Sequence, residues 1–473
     1  MRNRYVTTTL PYINDKLHLG HAVEFVQADA YVRVFRRAGE NVFLNIGTDE
    51  HGAKIAKKAE SQGKTPEVYA DEYAGYFKMF ADTFGISYDA FTRTTDRHHL
   101  QSAQAFWEKC AEAGDIYKAA YEVKYCTGCE LEKTDSELVS GRCPLHPNQE
   151  IEIRTEENYY FRFSRFTDDL LKLYTERPEF VVPKERLGEI RSFVTQGLKD
   201  FSISRRKEKL SWGVPVPGDE EHVMYVWFDA LANYVSAIGW PDDMATFETW
   251  WPVTQFAGKD NLRQQSAMWQ AMLMSAGLEP SRQIFIHGFI TSGGQKMSKS
   301  VGNVIDPMEL MNTYGVDGTR YLILRHVNPF EDADLTNAAI REHYTAHLTN
   351  GLGNLVARVM KLCEDHLESP VEAPDISAHQ NIIQAEVERF SFNTALDTIF
   401  SLVSAADEYM TKEQPFKVIK EDPVRAKAML TSLAGQVWTI GALLAPFMPE
   451  TSAKIVEAVM ANKKPDNLFP RLA

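Results

Sequence analysis

Two short segments carry side chains that could hold the phosphates of a nucleotide. The first is His18-Leu19-Gly20-His21, placed where a loop is predicted to meet a helix. A helix N-terminus favours bound anions, because its free N–H groups and its dipole point toward them, and two imidazoles there can add further N–H donors. Gly20 has no side chain, which would let an adenine ring lie against the backbone. Taken alone, this pattern is more typical of a helix cap or a surface feature.

The second segment is a basic loop. Lys296 and Lys299 are separated by Met-Ser and are preceded by Gly293-Gly294. Two cations on a glycine-hinged loop could close on a triphosphate. A lysine pair in isolation is typical of a solvated loop, but this one follows an apolar run, Ile284 to Ile290. The two segments together favour one nucleotide site.

Four residues have the spacing of metal ligands. Cys126-x-x-Cys129 and Cys143-x-x-His146 are two pairs separated by 13 residues. Sulfur and imidazole ligands in this arrangement suit a closed tetrahedral site for one structural Zn²⁺ ion. The alternative is a set of free thiols beside a surface histidine. The two other cysteines of the chain are predicted to be buried apolar residues.

Composition limits the class of protein. The chain has 473 residues, 44% of them hydrophobic and 25% charged, with a net charge of −14, which is ordinary for a globular protein of about three domains. That charge argues against indiscriminate coating of nucleic acid, although a local basic groove is possible. The N-terminus has no apolar core for a signal peptide, and no apolar run is long enough to cross a membrane. We expect a cytoplasmic protein that does not contact membranes.

The elements that must position these motifs begin as strand, loop, helix, strand. Arg4 to Leu10 and Asn41 to Ile46 are predicted strands, and apolar residues recur at helical spacing after His21. Further strands are predicted at Met224 to Phe228 and Gln283 to Ile290. The predicted fold is α/β: a Rossmann-like doubly wound parallel sheet, with an inserted zinc-knuckle connective domain and a C-terminal α-helical bundle.

The two phosphate-binding segments resemble the paired signature of class I aminoacyl-tRNA synthetases. Further blocks, from residue 5 to 472, resemble the methionyl-tRNA synthetase family: TLPYINDKLHLGHAVEFVQADAYVR, GTDEHG, YVWFDA, FAGKDN, HGFITSGGQKMSKSVGN and NLFPRL. The resemblance implies that ATP, with Mg²⁺, activates L-methionine to methionyl-adenylate and pyrophosphate. Methionine would then pass to the 3′-terminal adenosine of initiator and elongator tRNA(Met). Many members of this family also carry a zinc knuckle.

The resemblance divides the chain into five parts. Residues 1–117 and 223–290 would be the two halves of the catalytic domain, and 118–222 the connective insertion. Residues 291–345 would hold the KMSKS loop and the stem-contact region, and 346–473 an anticodon-binding domain. The dimerising module that some relatives append is not found before residue 473, so we expect a monomer.

The resemblance also assigns roles to individual residues. The implied catalytic residues are His18, His21, Lys296 and Lys299. Gly20 and Asp260 would join them in binding ATP. The positions that match the family's methionine pocket are Leu10, Tyr12, Asp49, Trp227, Ala230, Tyr234 and Gln265. The weakest assignment is Asn393, next to Phe392, as an anticodon contact.

Two departures from the family pattern leave questions open. Where the family has a histidine that helps to close the methionine pocket, this chain has Gln265, after Gln264. The last segment also contains no tryptophan that could stack on an anticodon base. The first departure affects the predicted shape of the methionine pocket more than the identity of the substrate. Two alternative functions for the chain are a class I synthetase for another apolar amino acid and a non-catalytic RNA-binding paralogue. The four intact signature residues argue against the second.

Overall fold

The structure is a computed structural model of the chain. It describes residues 3–14, 16–126, 131–133, 138–139, 141–144, 146–296 and 305–472. Two predicted site residues, Cys129 and Lys299, lie outside the described residues.

Within the described residues, strands form four sheets, of which the largest has six parallel strands in the order β3-β2-β1-β12-β13-β7. In chain order the strands are β1 (Asn3–Thr7), β2 (Asn41–Thr48), β3 (Ala90–Arg93), β4 (Ile116–Cys126), β5 (Leu131–Lys133), β6 (Glu152–Phe161), β7 (Val181–Val182), β8 (Phe201–Ser202), β9 (Ser204–Arg206), β10 (Pro215–Val216), β11 (Asp219–Met224), β12 (Val253–Gly258), β13 (Gln283–His287), β14 (Ile290–Ser292), β15 (Gln295–Lys296) and β16 (Ala333–Asp334).

Helices cover both faces of the large sheet and make up the C-terminal third of the chain. They are α1 (Leu19–Arg37), α2 (Ala53–Ser61), α3 (Pro66–Thr83), α4 (Arg97–Glu112), α5 (Thr167–Glu176), α6 (Lys184–Thr195), α7 (Val226–Leu231), α8 (Asn233–Ser236), α9 (Met244–Trp250), α10 (Trp269–Ser275), α11 (Pro307–His326), α12 (Asn337–His343), α13 (Asn354–His366), α14 (Ser377–Glu388), α15 (Phe392–Glu413), α16 (Pro415–Glu421), α17 (Pro423–Leu444) and α18 (Pro449–Met460). Two segments with wider, π-type turns are Gln264–Met268 and Tyr344–Gly353. None of the helices within the described ranges has the length and apolarity that crossing a bilayer requires.

The strand order of the large sheet reverses between β1 and β12. From β1 the chain moves outward to β2 and β3, whereas β12, β13 and β7 extend the sheet on the other side. The loops that leave the carboxyl ends of two such strands diverge and leave a crevice, where α/β folds bind their ligands. The predicted doubly wound sheet and helical C-terminal region are therefore confirmed.

Three elements differ from the sequence predictions. Met224 to Phe228 was predicted to continue the sheet, but Met224 ends β11 in a separate three-stranded antiparallel sheet, and α7 begins at Val226. The central strand β12 was not predicted. Val181–Val182 lies within the range assigned to the insertion, yet β7 is the edge strand of the large sheet.

A buried arginine joins the sheet to the helical region. Arg320, in α11, is inaccessible to solvent and donates to the carboxylate of Asp29 in α1 at 2.6 Å. It also donates to the carbonyl oxygens of Phe447 at 2.9 Å and Phe84 at 3.4 Å. Burial alone would raise the pKa of Asp29, but Arg320 and then Arg33 outweigh it and lower that pKa. Arg320 therefore links α11 to α1, to the end of α3 and to the loop after α17.

Replacing Arg320 with alanine should lower the free energy of unfolding by about 3–5 kcal/mol, because it removes the buried charge that pairs with Asp29 and the donor to the carbonyls of Phe84, Pro446 and Phe447. Urea denaturation followed by circular dichroism measures the loss. Arg33→Ala removes the more exposed partner of the same carboxylate, at 2.7 Å, and should cost about 1 kcal/mol or less. Equal losses in the two variants would contradict the assignment.

Candidate active site

A cavity of about 1220 Å³ opens at the carboxyl ends of β1 and β12. It brings together eleven of the residues predicted for ATP and methionine: Leu10, Tyr12, His18, Gly20, His21, Asp49, Trp227, Ala230, Tyr234, Asp260 and Gln265. Lys296 is described by its backbone, in the strand pair β14–β15. The sequence blocks that contain these eleven residues therefore meet in one crevice, as a single site requires.

His18 and His21 lie at the start of α1, with their rings stacked 3.8 Å apart. The backbone N–H of His18 donates to Nδ1 of His21 at 3.3 Å, so Nδ1 is the acceptor nitrogen. Burial, and then the charges of His18 and His287, lower the pKa of His21 well below its usual value. A neutral imidazole that accepts at Nδ1 carries its proton on Nε2. His21 is thus a fixed N–H donor at the rim of the cavity.

Gly20 owes its place to the neighbouring histidine. A Cβ added at Gly20 would lie 3.0 Å from both Cε1 and Nδ1 of His18. That is closer than side-chain atoms normally approach, so any other residue would displace this imidazole. The described contacts give this steric reason for glycine in addition to the predicted room for an adenine ring.

Asp49 carries a buried oxygen without a partner. It follows β2 and pairs with Tyr12 through backbone hydrogen bonds, from Asp49 N–H to the Pro11 carbonyl at 2.9 Å and from Ile13 N–H to the Asp49 carbonyl at 3.1 Å. Its side chain is 7% exposed, and among the described residues no donor reaches Oδ1. Burial, then the charges of Asp229 and Glu50, raise the pKa of Asp49 well above its usual value. A bound cation would give this carboxyl both an opposite charge and a hydrogen-bond donor.

Beneath Asp49, a second carboxylate is clamped by two imidazoles. Asp229, in α7, is fully buried and lies 2.7 Å from Nδ1 of His51 and 2.8 Å from Nε2 of His99. Burial alone would raise its pKa, but His51 and His99 outweigh it, so the pKa of Asp229 is lowered. His99 also contacts Oγ of Ser236 at 3.1 Å. Asp229 is therefore the ionised member of the two carboxyls.

The apolar end of the cavity has one exposed aromatic residue and one buried aromatic residue. Trp227 is 39% exposed, and Tyr12 and Ala230 are half-buried. On the other side Tyr234 is 2% exposed and packs edge-on against the buried ring of Trp269 at 5.8 Å. A fixed tyrosine opposite an exposed tryptophan suits an apolar side chain that enters beside the indole.

Gln265 belongs to a buried hydrogen-bond relay with a defined direction. The backbone N–H of Ser281 donates to Oε1 of Gln270 at 2.9 Å, so the amide nitrogen of Gln270 faces Oγ of Ser281 at 3.1 Å. Ser281 then donates to Gln255 at 2.7 Å, Gln255 to Oε1 of Gln265 at 2.8 Å, and Gln265 to the hydroxyl of Tyr234 at 2.9 Å. Because a backbone N–H can only donate, every later step is oriented, and the Tyr234 hydroxyl accepts.

Several cavity residues were missed by sequence reasoning. Glu24 accepts from both the backbone and hydroxyl of Thr9 at 2.6 Å and pairs with Nε2 of His287 at 3.1 Å. Burial alone would lower the pKa of His287, but the bond with Glu24 outweighs it and raises that pKa. Arg205 also lines the cavity, with its guanidinium 4.5 Å from the ring of Tyr225. The HGF block contained His287, but nothing in the sequence pairs it with a glutamate far away in the chain.

Three of the four predicted metal ligands lie together. Cys126 and Cys143 are each 1% exposed, and their sulfur atoms and one nitrogen of His146 lie within 4.8 Å of one another. The distance from Sγ of Cys126 to Nδ1 of His146 is 3.7 Å. Sulfur and nitrogen ligands at about 2.3 and 2.05 Å from a tetrahedral Zn²⁺ ion would be ~3.6 Å apart. The donor set present fits zinc.

The anticodon prediction separates into two outcomes. Phe392, which precedes the predicted contact, is fully buried and packs 6.3 Å from Phe285 and 6.5 Å from Phe256, so it belongs to the core. Asn393 is half-buried at the start of α15 and stays a prediction. The two cysteines predicted to be buried, Cys110 and Cys363, are both inaccessible.

Comparison with known proteins places the chain. The family model for class I (M) tRNA synthetases matches residues 4–152 and 146–360, and that for the anticodon-binding domain of methionyl tRNA ligase matches residues 368–470. Fold, cavity and matches define a class I aminoacyl-tRNA synthetase. The methionine–tRNA ligase of Mesorhizobium japonicum is 40% identical over 97% of this chain and 92% of its own, and that of Caldanaerobacter subterraneus is 39% identical over 96% and 73%. The chain belongs to the methionyl-tRNA synthetase family.

Solved structures agree. Mycobacterium tuberculosis methionyl-tRNA synthetase in complex with methionyl-adenylate is 35% identical, with a TM-score of 0.86 over 97% of this chain and 94% of that one. The apo form of that synthetase gives a TM-score of 0.84 at 31% identity, over 100% of this chain and 99% of that one. The similarity therefore extends through both the sheet and the helical region.

The raised pKa of Asp49 predicts a pH-dependent gain of stability in Asp49→Asn. The folded state binds this proton more tightly than the unfolded chain does, so the stability that the carboxyl contributes at low pH is lost as the pH rises through the folded-state pKa. The asparagine variant should melt about 2–4 °C higher than the parent at pH 8. The two proteins should melt alike at pH 4.

Differential scanning calorimetry at the two pH values makes this comparison. The matched control is Asp466→Asn, which changes an exposed carboxylate and should shift neither melting temperature. A gain for Asp49→Asn that is equal at pH 4 and pH 8 would contradict an ionisation effect.

Proposed function

We propose that this cavity performs both steps of methionine–tRNA ligation, and the observation that carries the proposal is the partnerless buried oxygen of Asp49. Asp49 lines the same cavity as the two imidazoles of the HLGH segment. The Asp49 carboxyl can bind a cation, and the imidazoles of His18 and His21 can donate N–H groups at a helix N-terminus. A zwitterionic amino acid and a nucleotide phosphate are ligands that this pairing suits.

Asp49 binds the α-ammonium of methionine. Its pKa is raised in the free protein, and a bound ammonium reverses the cause of that shift by supplying an opposite charge. The amino acid is thereby oriented with its carboxylate toward the start of α1 and its side chain toward Trp227 and Tyr234. Trp227, exposed in the free protein, covers the thioether when the substrate enters.

His21 donates from Nε2 to an oxygen of the ATP α-phosphate. A carboxylate oxygen of methionine attacks the α-phosphorus, the bond from that phosphorus to the bridging oxygen breaks, and pyrophosphate leaves. No side chain of the enzyme forms a covalent bond with either substrate. Catalysis therefore consists of positioning the substrates and stabilising the charge that develops on the phosphate. Lys296 and Lys299 are the proposed cations for the leaving pyrophosphate, and Asp260 and Gly20 border the nucleotide. Mg²⁺ bound to the ATP phosphates would neutralise part of their charge.

The second step uses the same orientation. A hydroxyl of the 3′-terminal adenosine of tRNA(Met) attacks the carbonyl carbon of the adenylate, and AMP leaves with the former α-phosphate. Residues 346–473 would hold the anticodon end of the tRNA, with Asn393 as the proposed contact. Activity on both initiator and elongator tRNA, a monomeric state and a cytoplasmic location stay predictions.

Tyr234 selects methionine through the direction of its proton. Its hydroxyl accepts from Gln265 at 2.9 Å, and the side chains of Gln255 and Asn233 also interact with it. All three are amides that can donate to this oxygen, which leaves the phenolic proton as the group proposed to point into the cavity. A thioether sulfur is a weak acceptor, whereas the methylene that replaces it in norleucine accepts nothing. The relay thus performs with an amide what a histidine ordinarily supports in this family, and an amide does not titrate near neutral pH.

A structural Zn²⁺ ion at Cys126, Cys129, Cys143 and His146 completes the proposal. Cys126 and Cys143 are buried and His146 is half-buried, and the distance of 3.7 Å between Cys126 and His146 suits a tetrahedral ion. Zinc would supply a cross-link in place of an apolar core for the small β4–β5 region. No catalytic step depends on it.

Methionine-dependent exchange between ATP and pyrophosphate, measured without tRNA, tests the first step. Exchange with methionine should exceed that with leucine, isoleucine, valine, cysteine or norleucine. His21→Ala should lower kcat about 10²–10³-fold, because it removes one preorganised donor that acts on developing charge. His366→Ala, at an exposed position of α13, should leave kcat unchanged.

Two outcomes would contradict the proposal. Exchange that prefers another amino acid would move the specificity to that substrate. The absence of exchange with any amino acid in correctly folded protein would favour the non-catalytic RNA-binding alternative.

Gln265→Glu should reduce discrimination between methionine and norleucine roughly tenfold, which is the effect of one neutral hydrogen bond. The carboxylate has nearly the same shape but only accepts, so it would draw the Tyr234 proton away from the cavity. The measurement is the ratio of kcat/KM values for the two amino acids. Tyr234→Phe should lower the ratio equally.

Gln264→Glu provides the matched control. It adds the same charge at the neighbouring position, which also lines the cavity, without touching the relay. If both glutamate variants change the ratio equally, charge rather than hydrogen-bond direction determines the effect.

A further inference from the structure

Three histidines meet outside the cavity, where α11 packs against α12 and the π-type segment. His326 ends α11, His343 ends α12, and His347 lies in the first turn of the π-type segment. One nitrogen of each ring lies within 4.8 Å of the others. All three are half-buried. The activity described above uses none of them.

We propose that His326, His343 and His347 bind a divalent transition-metal ion of the Zn²⁺ type. His343 and His347 are four residues apart, the spacing that places two imidazoles on one side of a helix in zinc sites. His326 reaches the same point from a different helix. Three imidazoles with a fourth position open to solvent form a donor set that suits zinc, cobalt and nickel.

A buried tyrosine orients two of the rings. The hydroxyl of Tyr321 lies 2.8 Å from Nδ1 of His347 and 3.2 Å from Nε2 of His326. A ring that donates its N–H to this hydroxyl keeps the lone pair of its opposite nitrogen for an ion. A hydrogen bond to the second nitrogen is the usual way in which a protein fixes the orientation of a metal-binding imidazole.

The charged surroundings permit a cation. Arg325 is a positive charge close to the cluster, and its guanidinium is paired with the carboxylate of Asp397 at 2.8 Å and donates to Tyr321 at 2.8 Å. The negative charges of Asp397 and Glu342 also act on His347. Burial first, then His343, Arg325 and His347, lower the pKa of His326 to about 3. Burial and Arg325 also lower the pKa of His347. Neutral imidazoles keep the lone pair that a metal needs.

Binding requires a small rearrangement. The rings of His326 and His343 are parallel, with centroids 3.8 Å apart, and that of His347 lies 5.5 and 5.7 Å from them. Nitrogen ligands of a tetrahedral zinc ion are ~3.3 Å apart, so one ring must turn until its nitrogen points at the ion. Half-exposed side chains have the room to do so. The ion would then cross-link α11 to the start of the helical region.

Cobalt substitution separates this site from the knuckle. Metal-free protein is titrated with Co²⁺ while visible and near-ultraviolet spectra are recorded, and bound metal is counted by elemental analysis. Thiolate ligands of the knuckle give intense sulfur-to-cobalt charge-transfer bands, whereas an imidazole site gives only weaker d–d bands. We expect about two cobalt ions per chain, the second without a charge-transfer band.

His326→Ala and His347→Gln should each lose the second ion and keep the first. His366→Ala removes an exposed histidine from α13 and should keep both, as should the parent. Excess Zn²⁺ should raise the melting temperature of the parent more than that of His326→Ala. Equal metal content in parent and variants, or charge-transfer bands for all bound cobalt, would overturn the proposal.

Discussion

The cavity depends on one buried carboxylate, Asp229, whose negative charge is stabilised by two histidines. Asp229 is held between His51, just after β2, and His99 in α4, so the two bonds fix α7 against both elements. Those imidazoles keep Asp229 ionised. Its negative charge repels a negative charge on Asp49 and, together with burial, raises the pKa of Asp49. The free protein therefore stores an unfavourable interaction at the point where a substrate ammonium would relieve it, as expected of a site organised for function.

Backbone groups set the direction of protons throughout the site. The N–H of His18 determines which nitrogen of His21 accepts, and the N–H of Ser281 orients the relay that ends at Tyr234. A backbone donor cannot reverse its role, whereas hydroxyls and amides can. Because the relay that ends at Tyr234 is buried, this fixed polarity is set by the protein and needs no reorientation of solvent.

Sequence predicted the elements with buried apolar runs but not those in which helix and strand patterns coincide. β1 and β2 were predicted from their β-branched and apolar residues, and α1 from apolar residues at helical spacing, and most residues of all three elements are buried. The run Met224 to Phe228 is rich in aromatic residues and was predicted as a strand. From Val226 it forms α7 instead, because Phe228 and Leu231 lie on one buried face of a helix. β12 was missed because Trp251-Pro252 precedes it and proline usually marks a loop.

The site itself was predictable where its residues are adjacent in sequence, and not where a partner comes from afar. HLGH and the cysteine pairs are local patterns, whereas Glu24 and His287, or Asp229 and His99, become meaningful only through their contacts. Gln265 shows the difference most clearly. In sequence it is an unexplained loss of a histidine; in the structure Gln255, Gln270 and Ser281 supply an amide and hydroxyl environment that gives the replacement a defined direction. Because no group of this relay titrates near neutral pH, recognition by Tyr234 becomes independent of the proton that a histidine would gain or lose.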